Sequence, residues 1–489
     1  MALAIDEMAT FCKKKGFVYP SAEIYGGLAG FYDYGHLGVE LKRNIENELW
    51  NRFVRSRNDV VGIDGTIITN PNVWKASGHA DCFGDIMLDC SKCKQRFRGD
   101  HLIEDTLKIR ADGISKEDIS KIVKENKIKC PNCKGELGEP RQFNLMFETN
   151  VGPVSGNTSY LRPETAQLIF TNFRLVQENA RMKLPFGIAQ LGKAFRNEIS
   201  PRDFLFRVRE FEQFEIEFFI HPKKIDDCPM IKEVESLKIN ALLENEKSQK
   251  QTTIKDLVSK KTLSRWHAYW LAQFYRFFLD LGIKPENLRI RQHVKDELAH
   301  YARACFDIEY QFPFGWKEIH GNADRQSFDL TQHSKFSNKD LSFFDEETKE
   351  KVIPSVVEPS QGIGRAMLAF MFDAYNDDKK RGNIVLGLHP KLAPVKVGIF
   401  PLVGNKPEIV ALAKKIYDDL KNDFTCQYDQ SGSVGRRYAR ADEIGVPYCI
   451  TVDFDSLNDN SATIRDRNTT KQERVKISEL KSKIRSLLQ

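Results

Sequence analysis

Between Phe211 and Phe219 the chain alternates. Phe211, Gln213, Glu215 and Glu217 fall on one face of a predicted strand, and Glu212, Phe214, Ile216 and Phe218 on the other. A strand buried on both faces would not carry carboxylates beside its aromatics. The face with Phe211 and Glu215 suits a ligand with a flat ring at one end and a cation at the other. At about 3.3 Å per residue, these two residues stand roughly 13 Å apart. Helical spacing governs other stretches. Met8 to Lys15 reads as a short helix, and Leu41, Ile45, Leu49 and Phe53 repeat along one face of a longer one. Leu168, Ile169, Phe173 and Val176 mark a third. Leu263 to Leu281 is so rich in large apolar residues, among them Trp266, Trp270 and Phe274, that the helix it predicts must be buried.

Phe143–Phe147 and Phe312–Ile319 read as extended segments. Val356 to Tyr375 reads as a strand, a glycine turn and a helix. Residues 223–260 are charged and read as a peripheral insertion. From Val395 onward, strands at Val395–Val403, Phe424–Tyr428 and Tyr448–Val452 alternate with helices from Pro407 and Gly435. That order predicts a small α/β domain with a mixed sheet.

A length of 489 residues implies roughly three domains. The net charge of +6 permits a nucleic-acid partner without requiring one. Ten cysteines in so long a chain do not make a disulfide scaffold, which points to a reducing, cytoplasmic setting. The N-terminal stretch carries acids in its apolar part and is not a secretory signal. No apolar run approaches about 18 residues, so no membrane span is expected.

Four of the cysteines form two pairs, Cys90/Cys93 and Cys130/Cys133, separated by 36 residues. Paired CxxC knuckles supply four thiolates for a tetrahedral zinc, and four sulfurs leave no open position for catalysis. Free thiols or a redox pair are the alternatives. A helical excursion from Glu104 to Lys127 occupies the spacer. His79 has no second histidine at ligand spacing and reads as a loop or structural residue. Gly26–Gly30 lacks the context of a phosphate loop. Arg196, Arg202, Arg207 and Arg209 crowd around the alternating strand and suit a polyphosphate, because guanidinium forks pair bidentately with phosphate oxygens. Arg436, Arg437 and Arg440 with Tyr438 suit RNA phosphates and stacking, or else a solvated basic face.

The strings Phe195-Arg196-Asn197-Glu198 and Arg207-Val208-Arg209-Glu210-Phe211 resemble motif 2 of the class II aminoacyl-tRNA synthetases. The longer run from Gly187 to Glu217 is similar to the glycyl-specific branch of that class. Tyr32–Gly38 and the helix after it resemble motif 1, with His36 where the family usually has proline. Arg162-Pro163-Glu164-Thr165-Ala166-Gln167 resembles an RPETAQ signature, and Glu358 to Arg365 resembles motif 3.

The resemblance implies an α+β fold. An antiparallel-sheet catalytic domain over 1–390 would carry a zinc-knuckle insertion at 90–133 and the charged insertion at 223–260. An α/β anticodon-binding domain would follow over 394–489. It implies ATP-dependent attachment of glycine to tRNA(Gly) by a homodimer, with magnesium and a structural zinc held by Cys90, Cys93, Cys130 and Cys133, and with no DNA partner.

Arg196, Arg207 and Arg365 are the implied catalytic residues. Asn197, Glu198, Phe206, Val208, Arg209, Glu210 and Phe211 would join them around ATP, with Glu318, Ile319, Gly362, Ile363 and Gly364. Arg98, Glu164, Phe211, Glu212, Gln213, Phe214 and Glu215 would surround glycine, with Glu358, Pro359, Ser360, Gln361 and Gly362. Glu318 and Glu358 would place magnesium. Two alternatives remain: a synthetase for another small amino acid, and a non-catalytic nucleic-acid-binding subunit. The latter would be expected to lack Arg196, Arg207 and Arg365.

Overall fold

The computed structural model describes residues 3–488, apart from 110, 112–113, 154–155, 157, 245 and 299–301. Nine strands build its main sheet. They are β1 (Val60–Ile63), β2 (Phe186–Phe195), β3 (Glu210–Ile220), β4 (Lys238–Leu242), β5 (Lys250–Thr253), β6 (Leu288–Gln292), β7 (Ala304–Phe312), β8 (Gly315–Gln326) and β9 (Ser355–Gly362). Their order is β5-β4-β6-β7-β8-β9-β3-β2-β1. Neighbours are antiparallel except β4 with β6 and β1 with β2. The alternating strand is β3, paired with β2 along one edge and β9 along the other.

One face of this sheet is an aromatic core. Phe214, Ile216 and Phe218 are fully buried on it. Four helices matter here: α1 (His36–Trp50), α2 (Ala166–Ala180), α3 (Arg265–Asp280) and α4 (Ile363–Ala374). Ser264 caps α3, and its side chain accepts from the His267 N–H, so the helix starts where its apolar run begins. Phe218 packs on Trp266 and Trp270 of α3, with ring centres 4.8 and 5.1 Å apart. Phe53, one turn past α1, stacks on Phe274 at 4.2 Å. Leu37, Leu41, Ile45 and Leu49 are buried as their spacing predicts. Gly38 is required in α1, because a Cβ there would collide with the Phe17 carbonyl.

Three expectations change. The strand expected at Phe143–Phe147 lies at Arg141–Asn144, in a three-stranded sheet with Gly84–Asp89 and Arg96–Arg98. The segment Phe312–Ile319 is extended as expected at Phe312 and Gly315–Ile319, but Pro313 and Phe314 between them turn the chain from β7 into β8. Pro313 cannot donate to a ladder and Gly315 sits at φ 104°, so the pair turns the chain. Residues 223–260 are not peripheral throughout, since they supply β4 and β5 at the sheet edge. Their apolar residues are sparse because β4 buries only alternate positions: Ile239 and Ala241 point inward, and Lys238 is exposed.

The cysteine region has its own small core of Leu88, Leu102, Ile103, Ile119 and Val123. Two helices, Gly99–Leu107 and Lys116–Glu125, fill the expected helical spacer. The C-terminal sheet runs in the order Cys426–Tyr428, Val397–Pro401, Tyr448–Val452, Ser461–Asp466 and Gln472–Lys476. Its first three strands are parallel and the rest antiparallel, the mixed sheet expected. A polar seam joins it to the larger body. Arg381 donates to the Asp442 carboxylate and to the Arg467 and Asn468 carbonyls, while Arg467 donates to Leu388 at 2.6 Å. Among the described residues no helix is long and apolar enough to cross a membrane.

Candidate active site

The other face of the sheet is a polar cleft of about 250 Å³. Phe211, Gln213 and Glu215 reach it from β3, Glu358, Ser360 and Gly362 from β9, and Glu318 from β8. The alternation of β3 places Phe214 in the aromatic core, away from the cleft. Glu212 touches the cleft lining, but its carboxylate turns to Lys42 of α1 at 2.7 Å.

Acids crowd one end. Glu215 is 2% exposed and accepts from the Thr165 N–H at 2.8 Å, the Thr165 hydroxyl, the Ser360 hydroxyl at 2.8 Å and Gln213 Nε2 at 3.1 Å. A carboxylate has about four acceptor sites, so an incoming ammonium must displace one of these donors. Burial and the nearby Glu164 charge push Glu215 upward in pKa, against the pull of these hydrogen bonds.

Glu164 sits at the turn into α2. Buried Arg162 fixes that turn by donating to the Lys193 and Gly65 carbonyls. The Glu164 carboxylate meets His79 Nε2 at 3.2 Å and Gln167 Nε2 at 2.9 Å. Burial would raise its pKa, but His79 and Arg325 outweigh burial and keep it ionised. Burial raises Glu358 to about 8 despite Arg325 at 2.8 Å. Glu217, on the same face of β3, is fully buried, and neither carboxylate oxygen has a hydrogen-bond partner. Burial, with Glu358 beside it, holds Glu217 well above the usual carboxylate range.

Arginines and rings occupy the other end. The Arg196 guanidinium lies 5.4 Å from the Phe211 ring centre and donates to the Pro163 carbonyl. Arg365 lies 4.4 Å from the Phe206 ring and pairs with Glu318 at 2.9 Å. Arg207 approaches Glu198 at 3.7 Å. All of these line the cleft, as do Val208, Ile319 and Gly364.

Other expected residues lie outside its lining. Arg209 donates to the Ala29 and Glu198 carbonyls, and Glu210 pairs with Lys193. The Asn197 N–H donates to Leu145. Gln361 donates to the Ile319 carbonyl, Ile363 is core, and Pro359 is buried. Arg98 pairs with Asp85 at 3.0 Å and Asp100 at 2.7 Å.

His79, read from sequence as a loop or structural residue, is buried behind the cleft lining and holds Glu164, a partner remote in the chain. Arg325 is a residue beside the site that sequence reasoning missed. Only 1% exposed, it grips Asp329 with two nitrogens at 2.8 Å and Glu358 with a third. In the C-terminal body, Arg437 is 1% exposed and bonds the Pro401, Leu402 and Gly432 carbonyls. It therefore braces a loop and is withdrawn from any RNA surface, because it is buried and its two terminal nitrogens are spent on backbone.

The Sγ atoms of Cys90, Cys93, Cys130 and Cys133 lie within 4.8 Å of one another, with Cys90–Cys133 at 3.4 Å and Cys93–Cys130 at 3.6 Å. A tetrahedron with 2.3 Å zinc–sulfur bonds has edges of about 3.8 Å, so the four sulfurs fit zinc. Glu318 and Glu358 offer the hard carboxylate oxygens that magnesium prefers.

Comparison with known proteins places this geometry. Residues 154–373 match the model of the tRNA synthetase class II core domain (G, H, P, S and T), and residues 396–487 match an anticodon binding domain. The chain is 46% identical over 497 residues to a glycine–tRNA ligase of Clostridium kluyveri, covering 99% of this chain and 98% of that one. It is 46% identical to that of Caldanaerobacter subterraneus, over 98% and 97% of the two chains. It is 44% identical to that of Borreliella burgdorferi, over 99% and 97%. A prolyl-tRNA synthetase of Cryptosporidium parvum, solved with L-proline and AMP, shares the fold. Its TM-score is 0.58 at 14% identity, covering 99% of this chain and 78% of that one.

Proposed function

The chain belongs to the glycine–tRNA ligases of class II, and we propose that its cleft joins glycine to ATP and passes the glycyl group to tRNA(Gly). The observation that carries this reading is one cleft with hydrogen-bonded buried acids at one end and ring-stacked arginines at the other. Glu164 and Glu215 would hold the glycine ammonium, with Ser360 and Gln213 turning to admit it. A pocket closed by these groups around glycine would leave no room for a Cβ, and excluding a larger amino acid is the easy direction of discrimination.

Phe211 would stack on adenine, Glu198 would accept from its amino group, and Arg365 would cover the far side or grip the outer phosphates with Arg207. Arg196 would neutralise the α-phosphate as the glycine carboxylate attacks it and pyrophosphate leaves. The tRNA terminal ribose hydroxyl then takes the glycyl group. Positioning and charge neutralisation carry such a reaction, with little covalent work for the protein. Glu318 and Glu358 would hold magnesium, which neutralises phosphate charge. Arg98 would act from outside the cleft lining, through Asp85 and Asp100.

The catalytic domain would span 1–390 and the anticodon-binding domain 394–489. A zinc held by the four cysteines, a homodimer built on α1 and a cytoplasmic location complete the reading.

The test is amino-acid-dependent ATP–pyrophosphate exchange with glycine, alanine, serine, proline and threonine in parallel. Exchange with glycine alone is expected. Exchange with another amino acid would break the pocket argument, and exchange with none would favour a non-catalytic RNA-binding role. Arg196→Ala should slow exchange by about 10²–10³, by analogy with loss of one transition-state donor.

A further inference from the structure

The wall of the cleft formed by the first residues of β7 and the end of β6 carries a mixed donor set that the reaction above does not use. Cys305 and Asp307 are two residues apart on β7 and share the face that lines the cleft. His293 follows β6, and its N–H donates to the Cys305 carbonyl at 3.0 Å, which locks the two segments together. His293 Nε2 and Asp307 Oδ2 are 2.6 Å apart, and Cys305 Sγ stands 3.9 Å from Asp307 Oδ1. One ligand atom from each residue lies within 4.8 Å of the others.

We propose that His293, Cys305 and Asp307 form an exchangeable binding site for a zinc-class cation, separate from the four-cysteine site and from the magnesium that accompanies ATP. Bonds of about 2.3 Å to sulfur and about 2.0–2.2 Å to nitrogen and oxygen give tetrahedral edges of about 3.3–3.7 Å. The observed separations bracket that range, so small side-chain rotations complete the triangle. A nitrogen, a sulfur and an oxygen make a three-ligand set with the fourth position open, and that position faces the cleft. The thiolate selects against magnesium and calcium, which take oxygen ligands. Binding displaces the Cys305 thiol proton and the proton shared by His293 and Asp307 to solvent.

Glu318 lines the same part of the cleft and is gripped by Arg365. A divalent charge beside it competes with Arg365 and with the metal of ATP, so occupation should inhibit amino-acid activation. This second half rests on the adenylate-forming reading; the binding half does not.

The experiment uses the full chain, stripped of metal by a chelator and titrated with zinc against a chromophoric competitor. The wild type should bind one metal equivalent per chain more than Cys305→Ser, and His293→Gln should match Cys305→Ser. Cys93→Ser should lose a different equivalent and keep the one that Cys305→Ser loses. Cobalt in Cys93→Ser should show a thiolate-to-metal absorption band that disappears when Cys305→Ser is added. Equal stoichiometry in the wild type and both single-site variants would overturn the site. Zinc should slow glycine-dependent exchange in the wild type more than in Cys305→Ser. Equal sensitivity, with the stoichiometry difference intact, would overturn the inhibitory role alone.

Discussion

Replacing Arg325 with methionine should unfold the catalytic body more easily without touching a substrate. Arg325 lies under the acidic end of the cleft and gives three charged hydrogen bonds of 2.8 Å to Asp329 and Glu358. Asp329 is 2% exposed and Glu358 6%, so neither can turn to water once the guanidinium is gone. Breaking a buried ion pair by removing one partner costs about 3–5 kcal/mol, because a buried charge is left uncompensated. Methionine keeps most of the volume and the contact with Phe170, whose ring centre lies 5.4 Å from the guanidinium carbon, so the loss reads charge and not a cavity. Lysine keeps the charge but cannot form the fork, and should recover only part of the loss. Trp266 and Trp270, packed on β3, report the unfolding of this body by fluorescence in urea at pH 8. The KM for glycine should rise as well, since Gln167 bridges Asp329 to Glu164. A methionine variant destabilised by less than about 1 kcal/mol would refute the reasoning, because the two carboxylates would then have other means of neutralisation.

Glu217→Gln keeps the shape of a carboxyl whose charged form burial disfavours. A folded pKa raised above the unfolded one gives stability that is complete below the unfolded pKa and is lost as pH rises towards the folded value. The wild type should therefore lose up to about 1.4 kcal/mol per pH unit above about pH 4.5 that the glutamine variant keeps, measured by urea midpoints across pH. Phe211→Ala should raise the KM for ATP roughly 5- to 150-fold, the 1–3 kcal/mol of one stacked base, with a smaller effect on the KM for glycine. Cys93→Ser should release zinc and open residues 90–135 to trypsin while the nine-stranded sheet stays resistant, since that region has its own core.

What the sequence made legible follows its local periodicities. The alternation of β3 separated Phe214, Ile216 and Phe218, which face α3, from Phe211 and Glu215, which face the cleft. The density of rings in α3 foretold its burial. The two CxxC pairs foretold four sulfurs close together. The remainder lay in pairings between distant segments. Arg325 meets Glu358 across 33 residues of chain, and His79 reaches Glu164 from another helix. No periodicity encodes such contacts; they arise when strands pair. The strands β4 and β5 escaped notice because they are short and bury only two side chains between them, Ile239 and Ala241 of β4. Arg437 misled for the opposite reason, since a basic residue in a basic run looks solvated until its carbonyl partners fold around it.

The seam at Arg381 bears on the molecule's dimensions. Arg381 and Arg467 tie loops of one body to a helix and strand end of the other, and Lys15 reaches across to Glu443. The C-terminal sheet is thus an outrigger bolted to its hull, not a float on a cord. A nucleic acid that touched that sheet at one end and the cleft at the other would have to span a distance set by these contacts.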